Sequence, residues 1–139
     1  AGVHAHVVIE TQRGHHLGSL IREGEAIANT GIPGVIGGYD IDRVLRAPHD
    51  GTMANCFDIG DHVRKGDTIL TIDGTEVKAQ ISGVLRGLIA PGHNVFEGQK
   101  IGDIDPRDDV SYCMTISDKG RNIAGGVLEA VAAFFAERR

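Results

Sequence analysis

Apolar positions along this chain come in short runs closed by glycine, and only near the C-terminus does their spacing stretch to every fourth residue. Short runs rich in β-branched residues and bounded by glycine read as strands, and four-residue recurrence reads as one face of a helix. A strand is predicted over residues 3–11 and a second extended run over 17–22, broken by Gly24. Gly31, Pro33, Gly34, Gly37 and Gly38 mark 28–40 as a loop and the best internal boundary. Strands are then predicted over 43–48, 52–57, 68–72, 76–81, 84–89 and 100–104, with 112–116 extended after them. A helix is predicted over 118–136. Ser117 can cap it, Asp118 suits its positive end, and Ile123, Val127, Val131 and Phe135 form its apolar stripe. Burying that stripe would stabilise the fold by about 1.5–3 kcal/mol per side chain. Gly120, Gly125 and Gly126 each weaken the helix by about 1 kcal/mol relative to alanine, so close backbone packing is expected there.

The strand region is written twice. A shift of 32 positions lays residues 46–73 on 78–105 without a gap. Eight of the 28 pairs are identical: Ala47/Ala79, Gly51/Gly83, Gly60/Gly92, Val63/Val95, Gly66/Gly98, Ile69/Ile101, Ile72/Ile104 and Asp73/Asp105. Composition alone would give roughly two. Stacked arrays need three or more repeats, so two copies point to one pseudo-symmetric domain with a shared core. Asp73-Gly74, which joins the copies, is a tight-hairpin signal.

Composition narrows the picture. With 139 residues there is enough chain for a real core, but 4% aromatic content and no Trp leave that core to aliphatic side chains. Twenty glycines fit many tight turns. A net charge of −5 argues against nucleic-acid or anionic-membrane partners. No run of 18 apolar residues and no signal peptide is visible, and two cysteines are too few for a disulfide framework, so a cytoplasmic, reduced setting is expected. The first residue is Ala1 rather than Met, which leaves room for sequence upstream.

The repeat carries a resemblance. Arg46–Gly51, Gly60–Leu70, Gly83–Leu85 and Pro91–Ile101 resemble the biotinyl/lipoyl carrier superfamily, whose domains are barrel-sandwich hybrids of two four-stranded sheets about a pseudo-two-fold axis. Carriers in that superfamily place a modified lysine at the tip joining the halves. Here residues 72–77 are shorter and hold no lysine, and Lys78 aligns with Arg46 on a strand, so covalent biotin or lipoate is not expected. A second resemblance covers nearly the whole chain. His4–Gly18, Thr30–Gly34, Val44–Pro48, Lys100–Arg107, Cys113, Thr115–Lys119 and Gly125–Glu129, in that order, resemble the C-terminal half of the selenium-dependent molybdenum hydroxylase accessory family. That resemblance implies a role in maturing a molybdenum hydroxylase, with the enzyme or its maturation factors as partners, and a further N-terminal portion in full-length members.

Several residues could carry chemistry. His4 and His6, two apart on a predicted strand, would face one side together with Glu10, and His15 and His16 at the next turn could join them. Three imidazoles and a carboxylate would suit a divalent metal; the plainer reading is a row of surface histidines. Arg13 and His15, or the glycines of 30–34, could line a pocket for an anionic cofactor, or serve turn geometry alone. Cys113 precedes the predicted helix start, where a thiol can become reactive, which with the implied pathway would fit sulfur or selenium transfer; a small buried hydrophobe is the plainer reading. Cys56 is expected in the core. Asp103, Asp105, Arg107, Asp108 and Asp109 form an acidic turn, a cation site or a set of local ion pairs. No Ser–His–Asp order, HExxH, P-loop or CxxC is present.

The expected fold is mainly β, with a barrel-sandwich hybrid over 42–106, an N-terminal β segment and linker over 1–41, and a connector and helix over 107–139 packed on the barrel. The expected function is a non-catalytic accessory module in maturation of a selenium-dependent molybdenum hydroxylase, binding a partner protein or cofactor intermediate. The alternative is a metal- or cysteine-dependent sulfur or selenium transferase, with His4, His6 and His15 as metal ligands or Cys113 as nucleophile.

Overall fold

Asp73 and Gly74 both adopt left-handed backbone, at φ +46° and +88°, and reverse the chain in two residues. Asp-Gly favours that conformation because glycine carries no Cβ and aspartate tolerates it. The turn joins β6 (Thr68–Ile72) to β7 (Thr75–Lys78), with Ile72 facing Thr75. In this computed structural model, which describes residues 1–137, the chain is mainly β, with antiparallel sheets and one C-terminal helix. It forms two compact units: Ile32–Thr115, and Ala1–Gly31 together with the segment from Ile116.

The larger unit holds the repeat. Its other strands are β3 (Val44–Arg46), β4 (Gly51–Asn55), β5 (His62–Val63), β8 (Gly83–Leu88), β9 (Asn94–Val95) and β10 (Lys100–Asp105). They form two four-stranded sheets, ordered β3-β10-β8-β5 and β7-β6-β4-β9. The 32-residue shift turns the first order into the second, strand for strand. Register follows the same rule. Thr68 faces Lys78, Leu70 faces Val77 and Thr71 faces Glu76 between β6 and β7; the shifted pairs Lys100–Arg46, Gly102–Leu45 and Asp103–Val44 join β10 to β3. Even the bulge recurs, between Thr68 and Leu70 and again between Lys100 and Gly102. Turn bonds match too: Gly60 N–H donates to Leu85 O and Gly92 N–H to Met53 O, both at 2.8 Å. The pairing is therefore kept at the flanking strands when the copies are exchanged; between the central strands it departs at one place, a bulge between Asp103 and Ile104 that sets Asp103 opposite Gly87, where the shifted Thr71 faces Ala54.

Two of the repeated identities have a steric reason. A Cβ on Gly51 would lie 2.4 Å from the Asp73 carboxylate, and one on Gly83 would lie 2.3 Å from the Asp105 carbonyl. At Gly83 the obstacle is backbone, so glycine is required there; at Gly51 it is the side chains of Asp73 and Ile72. The core draws on both copies: Met53, Ile69, Leu70, Ile72, Leu85, Ile101 and Ile104 are almost wholly buried. Aliphatic side chains alone fill it, as the scarcity of aromatics requires.

Some expectations change. β5 and β9 are two-residue strands the glycine pattern hid inside turns. Residues 112–116 are not extended: Val110–Cys113 is a 3-10 helix, started by the Asp109 side chain, which accepts from Ser111 N–H. Cys56 is exposed, because the chain bends directly after β4 instead of continuing as a strand.

In the smaller unit the strand expected over 3–11 shrinks to β1 (Val8–Ile9), paired with β2 (Leu20–Ile21). Glu10 ends it: the residue is 3% exposed, and its carboxylate accepts from the backbone N–H of Gln12 at 2.8 Å and of Ile27 at 2.9 Å. The helix α1 (Asp118–Ala136) has the expected bounds, and the Ser117 side chain caps it by accepting from Gly120 N–H. Its buried face, however, is not the expected stripe. Val127, Val131 and Phe135 are 48%, 47% and 65% exposed. Gly126 is the buried helical residue, and a Cβ there would lie 2.0 Å from Gly18 O. Backbone-to-backbone contact at Gly126 fixes the helix rotation and turns the larger side chains away. No helix among the described residues is long and apolar enough to cross a membrane.

Candidate functional site

The smaller unit holds a groove of about 580 Å³ between the irregular segment 2–7 and the last turns of α1. The segment cannot run as a strand, because the β1–β2 pairing starts only at Val8; its backbone therefore stays outside any ladder and lines the groove with His4 and His6. From the helix come Ala130, Phe134 and Glu137, spaced four and three apart and so stacked on one face. Arg22, just past β2, completes the wall, its Nη1 3.3 Å from Glu137 Oε1. The His6 ring meets Phe134 edge-on at 6.1 Å between centroids. The groove thus combines imidazole, an Arg–Glu pair and an aromatic face, a lining able to hold a ligand with both polar and flat apolar parts.

The remaining sequence candidates lie elsewhere. His15 is exposed at the β1–β2 turn, its ring 5.1 Å from that of His16. The structure gathers His4 and His6 into one groove but does not add His15, and among the described residues no three His, Cys, Asp or Glu side chains are placed to share a metal ion. Glu10, on the expected metal face, is committed to backbone N–H groups, chiefly that of Ile27, which hold its carboxyl below the ordinary glutamate value. Arg13 is engaged with Asp118 in the first turn of α1, at 2.7 and 3.0 Å. Cys113 ends the 3-10 helix, half-buried, with Sγ 3.9 Å from Leu85 O.

The acidic turn resolves into ion pairs. Asp105, 2% exposed, accepts from Arg107 Nη2 at 2.6 Å and Nε at 2.9 Å, and from Arg86 Nη1 at 3.2 Å. Hydrogen bonding from Arg107 leads the causes that hold its carboxyl below the usual aspartate value, against the opposing effect of burial. The Arg107 guanidinium also lies 4.3 Å over the Tyr112 ring. Sequence reading missed Arg22, Phe134 and Glu137 as groove residues. Helical spacing of 130, 134 and 137 was the available signal, but it competed with the stronger stripe at 123, 127, 131 and 135.

That stripe is itself a surface. Val127, Leu128, Val131 and Phe135 stand exposed on successive turns of α1, more clustered apolar area than scattered surface residues supply. No known family model matches the chain. The chain is 50% identical over 131 residues to the uncharacterized protein YqeB of Escherichia coli (strain K12), a match that takes in 94% of this chain but only 24% of that protein.

Proposed function

We propose that this chain is a non-catalytic accessory module in the maturation of a selenium-dependent molybdenum hydroxylase, and that it binds the hydroxylase through the outer face of α1. The observation that carries the reading is the exposed row of Val127, Leu128, Val131 and Phe135, of which Leu128 is 69% exposed. Large apolar side chains clustered in water are the usual mark of a surface that another protein covers. The pathway rests on the ordered motifs of the accessory-family resemblance, from His4–Gly18 to Gly125–Glu129. The larger unit is then a barrel-sandwich hybrid of biotinyl/lipoyl type serving as scaffold. The strand orders of its two sheets, which the 32-residue shift interconverts with the β3–β10 and β6–β7 registers kept, support that assignment.

The test is direct. The purified chain is immobilised and the molybdenum hydroxylase of the same organism is passed over it. Wild type is expected to bind, and Val131→Asp and Phe135→Ser to weaken binding at least tenfold with little change in melting temperature, since neither residue is buried. Failure of the wild-type chain to bind the hydroxylase in both its immature and mature forms would refute the reading.

A further inference from the structure

We propose that the hairpin loop of residues 35–41 in the larger unit is a second docking element for the hydroxylase, and that it enters an apolar cleft with a cationic rim; this rests on the reading of the chain as a hydroxylase-binding module. The glycines of this segment build a fixed hairpin. Ile36 N–H donates to Tyr39 O at 2.8 Å, and Tyr39 N–H donates to Ile36 O at 3.0 Å. Gly37 and Gly38, at φ +57° and +87°, make the turn between them. The turn rests on Pro106, whose Cγ would lie 2.9 Å from a Cβ on Gly37. Arg43, 7% exposed, holds the near end: its Nε and Nη2 donate to Gly34 O at 3.3 and 3.2 Å, and its Nη1 pairs with Asp103 of β10.

A loop free to move would fold its apolar side chains back onto the sheets. This one is pinned, and it keeps them in water: Val35, Tyr39 and Ile41 are 67%, 42% and 58% exposed, while Ile36 turns inward. Large apolar side chains held outward by a fixed backbone mark a surface that another protein covers. Fixing them beforehand lowers the ordering cost of binding, and tyrosine is a frequent interface anchor. Charge says what the receiving surface carries. Asp40 and Asp42 alternate with Tyr39 and Ile41, and both are exposed. Asp40 Oδ1 accepts from Ile41 N–H at 2.6 Å, but among the described residues neither carboxylate is in an ion pair. Two unneutralised carboxylates beside apolar anchors call for cations at the partner's rim. A second copy docked by the same loop would set those carboxylates against each other, and an anionic bilayer would repel them.

The test binds the hydroxylase to the immobilised full chain and to loop variants. Val35→Ser and Tyr39→Ser are each expected to weaken binding about tenfold, at unchanged melting temperature because both side chains are exposed. Asp42→Lys is expected to weaken it as well, with a loss that shrinks at high salt. Glu97→Lys makes the same change of charge at an exposed residue outside the loop, and should leave binding unaltered. If wild type does not bind, this proposal and the reading of the α1 face fall together. If wild type binds and the α1 variants weaken it while Val35→Ser and Tyr39→Ser bind as wild type, the loop proposal alone falls. Equal losses from Asp42→Lys and Glu97→Lys would overturn the cationic rim. Self-association of the chain that Tyr39→Ser abolishes, with hydroxylase binding unchanged, would assign the loop to a second copy and overturn the proposal.

Discussion

Asp105 shows what a single buried carboxylate can organise. It draws Arg86 and Arg107 together, and Arg86 Nε also donates to Tyr112 O at 3.2 Å, so one charge ties β8 and β10 to the 3-10 helix. Removing one member of such a set leaves the others desolvated and unpaired. Asp105→Asn is therefore expected to lower stability by about 2–4 kcal/mol in urea titration. The acid dependence follows from the same contacts. Because the folded carboxyl titrates below its unfolded value, its contribution is full above about pH 4 and fades as pH falls through the folded value. Wild type should thus lose melting temperature on acidification below about pH 4 more steeply than Asp105→Asn; equal slopes would show that this carboxylate is not the linked group. Glu10 behaves alike in sign but could not be read from sequence. Its partner Ile27 lies seventeen residues away, and no local spacing rule connects an acid to a distant backbone N–H. Residue type ranked His4, His6 and Glu10 together; the fold assigned them different neighbours.

At the scale of elements, α1 separates what periodicity can and cannot say. Its bounds, its cap and its four-residue rhythm were legible, because each rests on neighbours within a turn. Which face would be buried was not, because a glycine outranked four larger apolar side chains. Close approach of Gly126 to Gly18 O is available to no other residue. Gly125, next to it, faces open space. The two positions make a controlled pair. Gly126→Ala forces a Cβ into a backbone carbonyl that cannot rotate away, and is expected to cost about 1–3 kcal/mol. Gly125→Ala meets nothing and should gain about 0.5–1 kcal/mol from helix propensity. Denaturant midpoints of the two variants moving in the same direction would refute the assigned rotation of the helix.

At the scale of the molecule, the duplication was the most legible feature, since eight identities at one offset need no structure to be seen. How the copies share two sheets was not, because sequence offset says nothing about which strand pairs with which. The topology gives a specific answer. In each sheet the two central strands come from one copy and the two flanking strands from the other: β10 and β8 between β3 and β5, and β6 and β4 between β7 and β9. Neither copy can complete a sheet alone. A copy on its own would keep one two-stranded pair, a structure marginal in water, and would expose core residues such as Met53, Ile69 and Ile72, which are at most 2% exposed in the chain. A peptide of residues 32–74 is therefore expected to be unfolded by circular dichroism and to show collapsed amide dispersion. Mixed with a peptide of residues 75–115, it should recover strand signal, because every missing neighbour is then supplied. A well-dispersed spectrum from either peptide alone would mean that each copy closes on itself, and the exchanged arrangement of the two sheets would have to be abandoned.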